Sequence, residues 1–595
     1  MRWGVPVAAL TVVAFALRVR GIGEGLYEDE LYTISHVRGA SFPEMLDAVA
    51  TGDEPGAPRE NTPPLFFVLA WLSARAGDVT TFVRLPSVVL GAATVPLVYL
   101  VGVRTVGRPA ALVAATFVAL SPFAIFYGTE ARAYAALTFF ATLATLVLLE
   151  AVQRPCRRWW AAYAVSLIAL LYTHYTGALV IAVHGAWVLW RHRELWRPLL
   201  LADAGAGAAF AFWLPYLRSE PADYGALAGI LGFDHWDAFL QWAAGAPRLA
   251  PEDLPGVLPL ALLGTGVVVG LVGRVRRGST TGLGPVLPLA LVAPVFCLLY
   301  GFVGVDLFLF PRNMIASLPF AALAIGWSLT PPDRTALIAA VTLAGTALSI
   351  GAVKTLEDRF HRPDFPAAAR LLDERIGAQD LVVHFGDGFA PIVLGRILPL
   401  YTERAPAARA LGPDEASVTR LFAAASAAKK RVVLVELQDH VARVHPPTVP
   451  GWEQRDRELL PGNPAMIVAT YTPLRAQPPP AVTSDRFAGS LDVVAREGGS
   501  VLLIGWAVGP RGGPAERVLA FADDRLLAAG VPDRSRPDVS EVRGVDAQDL
   551  GYALALPGDI EPAELAAIRL YAVADRVAGA LPVVCTPQVR ELLRC

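Results

Sequence analysis

The chain has 595 residues, of which 54% are hydrophobic, and its mean hydropathy of +0.47 is too high for an ordinary soluble protein. The formal net charge of -2 at pH 7 provides no basic surface of the kind that binds nucleic acid. We therefore expect a polytopic α-helical membrane protein that carries additional soluble domains.

Apolar stretches recur along the first 353 residues, and a membrane span needs about 20 such residues, or fewer where protein covers its ends. The first stretch could be a signal peptide, but it lacks a small-residue cleavage site before Arg18 and Arg20. We interpret it as the first of about eleven transmembrane helices. The predicted spans are 3–18, 81–103, 109–127, 133–152, 159–174, 176–190, 198–216, 255–273, 284–304, 312–329 and 334–353.

The arginine distribution predicts how these spans are oriented. Alternate connections are short and basic, such as 154–158 and 191–197, and are expected to be cytoplasmic. The other connections carry most of the acidic residues and are expected to face outward. This alternation requires the apolar stretch 63–74 to be a helix in the outer interface instead of a crossing. With a cytoplasmic N-terminus and an odd number of spans, the soluble domains are predicted to be extracytoplasmic.

The composition changes near residue 358, which ends the predicted transmembrane domain 1–357. A helical pattern at 365–376, followed by strand patterns, predicts an α/β domain over 358–475. The predicted strands of this domain are 380–385, 431–437 and 465–471.

A proline-rich linker at 473–480 precedes the last predicted domain, a β-sandwich over 481–595. Cys585 and Cys595 could form a disulfide there if this domain is extracytoplasmic. Its predicted strands include 500–508, 517–523 and 566–573.

Three adjacent acids, Glu28, Asp29 and Glu30, follow the first span in the sequence GLYEDELYT. An acidic loop is most often simply solvated. Here apolar and aromatic neighbours make the stretch amphipathic, which favours carboxylates that point into a cavity. A carboxylate in such a place can act as a general base.

The turn after the third span contains Glu130, Arg132 and Tyr134 in the sequence YGTEARAY. A Glu–Arg pair that caps a short turn would explain it equally well. An arginine at this height is also suited to bind a lipid phosphate, because its planar fork matches phosphate oxygens.

Two later external turns add His174 with Tyr175, and Arg312 at the start of the tenth span. Each has an ordinary structural explanation, such as a buried histidine or an arginine that extends toward the interface. Because four separate turns deliver these side chains to one side of the membrane, we expect them to meet in one site.

These segments resemble the bacterial relatives of protein O-mannosyltransferases and aminoarabinose transferases, which are GT-C glycosyltransferases that use a polyprenyl-phosphate sugar donor. The resemblance covers roughly residues 1–350. It is carried by YEDELYT, RENTPPLFFVLAW, VRLPSVVLG, SPFAIFYGTEARAY and LYTHYTG.

The resemblance implies a role for each matching position. Asp29 would be the base that deprotonates the acceptor hydroxyl, and Glu30 would be its partner in orienting the acceptor or a cation. Arg132 and Arg312 would bind the lipid phosphate. The residues that would contact the sugar or other parts of the substrate are Glu130, Tyr134, His174, Tyr175 and Asn61.

The predicted reaction moves a sugar of the mannose or arabinofuranose type, with inversion, to a cell-envelope glycan, lipid or protein. The protein is expected in a bacterial plasma membrane. No cofactor or metal ligand set is required by the sequence, although the clustered acids could hold Mg²⁺ or Ca²⁺. Two alternatives stay open, a transporter or flippase for lipid-linked sugars and a membrane-anchored glycan-binding protein.

Overall fold

The computed structural model describes residues 4–26, 29–51, 62–216, 235–245, 256–278, 283–301, 310–386, 390–404, 407–438, 447–462, 464–497, 500–545, 547, 549–583 and 589. The predicted cysteine pair, Cys585 and Cys595, lies outside these residues, and so does Asn61. The chain divides into two compact units, Met1–Arg362 and Pro363–Cys595.

The described residues of the first unit form helices and their connecting turns, with no β-strand among them. Its first twelve α-helices are α1 Gly4–Arg20, α2 Glu30–Val37, α3 Phe42–Thr51, α4 Leu65–Ser73, α5 Val79–Phe82, α6 Leu85–Thr105, α7 Arg108–Leu120, α8 Pro122–Tyr127, α9 Tyr134–Gln153, α10 Arg157–Leu171, α11 Gly177–Arg191 and α12 Trp196–Ala211. The other α-helices in the described part of this unit are His235–Ala243, Val257–Arg276, Val286–Gly301, Leu318–Ser328 and Arg334–Lys354.

Where the structure describes them, the predicted spans fall mainly on helices, which confirms the multi-pass helical fold. The apolar stretch at 63–74 contains only α4, whose nine residues extend about 14 Å, too short to cross a hydrocarbon core of about 30 Å. Among the described residues, the helices long and apolar enough to cross a membrane are Gly4–Gly23, Val79–Thr105, Tyr134–Gln153, Val257–Arg276 and Arg334–Lys354.

Small residues allow the helices of this unit to pack closely. A Cβ atom added at Gly102 of α6 would lie 2.6 Å from the Cβ of Ala111 on α7. A Cβ added at Gly326 would overlap the backbone oxygen of Ala110. Lipid tails are as apolar as the side chains, so such close contact is a main source of association between membrane helices.

A buried arginine stabilises the break between α7 and α8. Pro122 has no N–H, so the carbonyl of Val118 lacks its usual helical donor. Arg18 of α1, which is 1% exposed, donates from Nη2 to the carbonyls of Val118 at 3.3 Å and Ala124 at 3.0 Å. This arginine therefore fixes the C-terminal end of the third predicted span against the first span.

Within its described residues, the second unit contains the predicted helix, Phe365–Arg375, and a nine-stranded sheet in the order β12-β11-β8-β9-β4-β5-β3-β1-β2. Strand β1 pairs in parallel with β2 and β3, and β5 is antiparallel to β3 and β4. The strands are β1 Leu381–Phe385, β2 Ala408–Leu411, β3 Val432–Leu437, β4 Trp452–Leu460, β5 Met466–Pro473, β6 Ala488–Glu497, β7 Ser500–Val508, β8 Arg517–Ala522, β9 Arg525–Gly530, β10 Gly551–Pro557, β11 Ile568–Ala574 and β12 Val577–Leu581.

A second sheet, β10-β7-β6, covers the end of the large sheet. Residues of β7 alternate between more and less buried, as expected for a strand with one face on a core. Leu503 of β7 and Leu554 of β10 share a buried cluster with Val518 of β8 and Leu570 of β11. This C-terminal region is β-rich, as predicted, and the pair Glu453 and Ala529 joins β4 to β9 so that one sheet continues from the predicted α/β domain into the predicted sandwich.

Candidate active site

Helix α2 begins at Glu30, whose side chain is completely buried. Arg84, immediately before α6, donates from Nε to Oε1 of Glu30 at 2.7 Å and from Nη2 to Oε2 at 2.6 Å. A guanidinium that binds both oxygens of a carboxylate fixes orientation as well as distance. This pair ties the acidic loop to the entrance of the second predicted span.

Two further groups complete the surroundings of the Glu30 carboxylate. Nη1 of Arg362 lies 3.3 Å from both oxygens, and the backbone amide of Ala131 donates to Oε1 at 2.7 Å. Thr33 of α2 donates in turn to the carbonyl of Ala131 at 2.7 Å. Both oxygens of Glu30 are thus engaged by donors of the protein itself, and we call Glu30, Arg84 and Arg362 the Glu30 hub.

Asp29 lies beside this hub but has different surroundings. It occupies the N-cap position of α2 and forms an ion pair with Arg312. Each of these two side chains is 22% exposed. Because both side chains are partly exposed, each can leave the ion pair and bind a group of another molecule instead. The enclosed carboxylate of Glu30 cannot do so.

Glu130 lies in the turn between α8 and α9, and it is 1% exposed. Its Oε2 has no hydrogen-bond partner among the residues that the structure describes. Burial, reinforced by the negative charge of Asp29, raises the pKa of Glu130 to about 8. The carboxyl group is therefore mainly protonated at pH 7, and a protonated carboxyl can donate a hydrogen bond as well as accept one.

Arg132 and Tyr134 follow Glu130 along the same turn. The guanidinium carbon of Arg132 is 5.4 Å from the ring centre of Tyr32 on α2, within the range of a cation–π contact. Tyr134, at the start of α9, is close enough to Arg312 for the two groups to interact electrostatically. The turn therefore delivers a carboxyl, a guanidinium and a phenol beside Asp29 and its partner.

His174 and Tyr175 stand at the next predicted external turn. The ring centre of His174 is 6.4 Å from that of Tyr134, and its Nδ1 accepts a hydrogen bond from the Thr176 amide at 3.3 Å. Tyr175 contacts the segment after α12, where its hydroxyl accepts from Nε1 of Trp213 at 3.3 Å. His174 therefore borders the cluster through Tyr134, and the ring of Tyr175 packs against that of Phe210 in α12.

The predicted convergence of separate turns is present for most of the proposed residues. Asn61 falls outside the described part of the chain. Within that part, no group of three or more His, Cys, Asp and Glu side chains could hold a metal ion. The residues that come together are Asp29, Glu30, Glu130, Arg132, Tyr134 and Arg312.

Sequence reasoning missed the two arginines of the Glu30 hub. Arg84 stands at the start of an apolar span in VRLPSVVLG, and a buried arginine there needs a carboxylate partner. That signal was available in the sequence. Arg362 gave none, because it lies 332 positions from Glu30 in a segment with ordinary composition.

Comparison with solved structures gives several loose likenesses. The oligosaccharyltransferase AglB from Archaeoglobus fulgidus, in complex with a peptide and a dolichol-phosphate, has a TM-score of 0.42 at 10% identity over 73% of this chain and 69% of its own. ArnT from Cupriavidus metallidurans, bound to undecaprenyl phosphate, gives 0.35 at 14% identity over 78% and 97%. The arabinosyltransferase EmbB from Mycobacterium smegmatis gives 0.36 at 13% identity over 99% and 65%. At these values the likenesses carry no argument about function.

Comparison by sequence is more informative. None of the curated proteins compared with the chain matches it. Residues 61–217, however, match the family model described as dolichyl-phosphate-mannose-protein mannosyltransferase. This segment contains Arg84 before α6, Glu130 between α8 and α9, and His174 between α10 and α11. The match shows similarity to that family over residues 61–217 alone, which is less than half of the chain.

Proposed function

We propose that this protein transfers a mannose-type or arabinofuranose-type sugar from a polyprenyl-phosphate donor to a hydroxyl group of an extracytoplasmic acceptor in the cell envelope, which could be a glycan, a lipid or a protein. The observation that carries the proposal is the partly exposed pair of Asp29 and Arg312 beside the buried carboxyl of Glu130. The family match over 61–217 supports the same class of reaction.

In the proposed mechanism the donor phosphate binds Arg312, which releases the Asp29 carboxylate from its ion pair. The acceptor hydroxyl approaches the anomeric carbon of the sugar from the side opposite the phosphate. Its proton passes to Asp29 as the new carbon–oxygen bond forms and the bond from carbon to phosphate oxygen breaks. Arg312 and Arg132 neutralise the charge that accumulates on the departing phosphate, and the anomeric centre is inverted.

Glu130 has a distinct part in this scheme. As a protonated carboxyl it donates a hydrogen bond to the sugar or to the donor phosphate. An ionised carboxylate at this position would repel the phosphate. Tyr134 and His174 form the adjacent wall of the sugar pocket. Tyr175 and Asn61 remain proposed substrate contacts on the strength of the resemblance.

Glu30 acts in our proposal as a positioning residue. Its oxygens are engaged by Arg84, Arg362 and the Ala131 amide, so it holds the start of α2 in place. The neighbouring Asp29 is thereby aimed at the bound acceptor.

The decisive experiment incubates the purified protein in nanodiscs with a panel of radiolabelled polyprenyl-phosphate sugars and cell-envelope acceptors. We expect one label to move. The variant Asp29→Asn should lower kcat by about 10²- to 10⁴-fold while donor binding persists. The variant Arg312→Gln should raise the KM for donor by about tenfold or more, because it removes a charged phosphate contact.

The exposed acid Asp47 on α3 offers a matched control, and Asp47→Asn should leave transfer unchanged. Failure of every donor to transfer its label would overturn the transferase proposal. Normal transport of a lipid-linked sugar by Asp29→Asn, with no transfer by the wild type, would favour the flippase alternative instead.

A further inference from the structure

A groove opens at the C-terminal ends of two helices that are predicted to cross the membrane. It lies between α1, α8 and the end of helix Arg334–Lys354, and about 60 Å³ of it is open to water-sized groups. We call it the Arg20 groove, after the arginine at the C-terminal end of α1 that lines it.

The Arg20 groove is expected at the height of lipid headgroups, because it lies where two predicted membrane helices end. Both α1 and Arg334–Lys354 are long and apolar enough to cross a membrane, and both end at the groove. Only 22% of each apolar window is buried within the protein, so these two helices present most of their surface to lipid. The exposed side chains of Val353, at 61%, and Leu356, at 40%, extend that apolar surface to the rim.

The walls of the groove combine apolar and cationic groups. Leu17, Ile125 and Phe126 form an apolar side. Arg20 and Lys354 supply positive charge at the same opening, at the C-terminal ends of their helices. This is the pattern expected of a site for a phosphate that is attached to a hydrocarbon chain.

The balance of charge favours an anionic over a zwitterionic headgroup. Lys354 pairs with Glu357 at 2.9 Å, and Glu24 accepts from the backbone amide of Arg362 at 3.2 Å. The Arg20 guanidinium forms no ion pair with any residue in the described ranges; its described contact is the carbonyl of Leu356 at 3.5 Å. One cation at the rim is therefore left without a described acidic partner, and it can accept an anionic lipid.

We propose that the Arg20 groove binds an anionic phospholipid of the surrounding bilayer, with its phosphate between Arg20 and Lys354. Arg362 lines the groove and also binds Glu30 and the hydroxyl of Thr129 at 3.3 Å. A lipid seated here therefore packs against the back of the Glu30 hub. The bound lipid stabilises the hub, and with it the start of α2.

The test measures lipid binding and does not depend on transfer activity. The full-length protein in neutral detergent is titrated with short-chain phosphatidylglycerol or phosphatidylcholine while its thermal unfolding is followed. Phosphatidylglycerol should raise the unfolding temperature more than phosphatidylcholine at equal concentration. In the double variant Arg20→Gln/Lys354→Gln, the half-saturating concentration of phosphatidylglycerol should rise by about tenfold or more.

Two comparisons make the result specific. Arg193→Gln/Arg276→Gln removes two exposed arginines near other helix ends and should leave the titration unchanged. Arg20→Lys keeps the positive charge and should retain the preference for phosphatidylglycerol over phosphatidylcholine. This variant also provides a readout if the double variant does not fold. Equal responses to both lipids, or an unchanged titration in the double variant, would overturn the proposal.

A separate arm uses undecaprenyl phosphate. If the double variant loses the response to undecaprenyl phosphate but keeps the response to phosphatidylglycerol, the groove binds the carrier lipid and the proposal of a bilayer lipid is wrong. If the double variant loses only the response to phosphatidylglycerol, the proposal of a bilayer lipid is supported, whatever the outcome of the transfer assay.

Discussion

Neighbouring carboxylates at the start of α2 have opposite surroundings. Glu30 faces the helical bundle, where two arginines and an amide enclose it, whereas Asp29 at the N-cap faces Arg312 and is partly exposed. Consecutive residues around a helix start point about 100° apart, so only one of them can face the core. The adjacent acids are therefore not interchangeable, and their substitutions should have different effects.

The first prediction concerns the stability that the Glu30 hub provides. Arg84→Met leaves Glu30 without its two-point partner and should cost about 3–5 kcal/mol, because a buried charge loses its main counter-ion. Arg84→Lys should lie between this variant and the wild type. Thermal unfolding in detergent measures the effect. Arg154→Met, at a side chain 76% exposed, is the control, and an Arg84→Met protein as stable as that control would contradict the prediction.

The second prediction concerns pH. The pKa of Glu130 is raised from 4.5 to about 8, so the folded state binds the proton more tightly than the unfolded state. Its contribution to stability is complete below pH 4.5 and is lost as the pH rises through 8. Transfer activity should also fall above pH 8, as Glu130 ionises beside Asp29 and the donor phosphate.

Glu130→Gln keeps a neutral hydrogen-bond donor and cannot ionise. We expect this variant to retain activity and to lose the decline above pH 8, as measured by the pH profile of kcat/KM between pH 6 and 9.5. An alkaline decline identical to that of the wild type would assign the titration to another group.

At the scale of elements, hydropathy located the spans because a lipid-facing helix must be apolar along its length. It did not predict the break at Pro122, where 109–127 divides into α7 and α8, or the 3₁₀ turn Pro311–Ser317 that carries Arg312. Both irregular segments expose backbone groups inside a membrane protein and need donors from elsewhere. At the first break Arg18 supplies them, and that contact depends on tertiary structure.

The third prediction tests helix packing in the first unit. Gly326→Ala places a Cβ against the backbone of Ala110 and should cost about 1–3 kcal/mol, because the backbone can only shift as a whole. Gly345, in another membrane helix, has nothing within 4 Å of an added Cβ. Gly345→Ala should leave the unfolding temperature unchanged or slightly higher. Equal effects of the two substitutions would refute the packing argument.

At the scale of the whole molecule, the chain is a helical membrane unit followed by a β-rich unit, and both were predictable from the change in composition near residue 358. The strands with continuous apolar runs, such as β1, β3 and β5, were predicted. Strands with polar faces, such as β4, were not. Strand β4 is polar or charged from Glu453 to Glu458 and apolar only at its ends, and its pairing with β5 and β9 is what makes it a strand.

The fourth prediction tests the orientation in the membrane. Cys156 is exposed and lies in the basic connection 154–158, which we expect to be cytoplasmic. With Cys585 and Cys595 replaced by serine, a membrane-impermeant maleimide should label Cys156 only after cells are permeabilised. Ser41→Cys, at an exposed position before α3, should be labelled in intact cells. Labelling of Cys156 in intact cells would show that the connection 154–158 faces outward, which contradicts the predicted orientation.

The sequence by itself determined the membrane class, the positions of the apolar helices and the residue types at the predicted external turns, because hydropathy and charge act locally along the chain. Only the tertiary structure decided which carboxylate is enclosed and which is open, since Glu30 meets Arg84 and Arg362 across separations of 54 and 332 residues. It also decided that Glu130 is buried beside Asp29, which sets its proton affinity. Such contacts join segments that are far apart in the sequence, and a local sequence pattern does not show which segments meet.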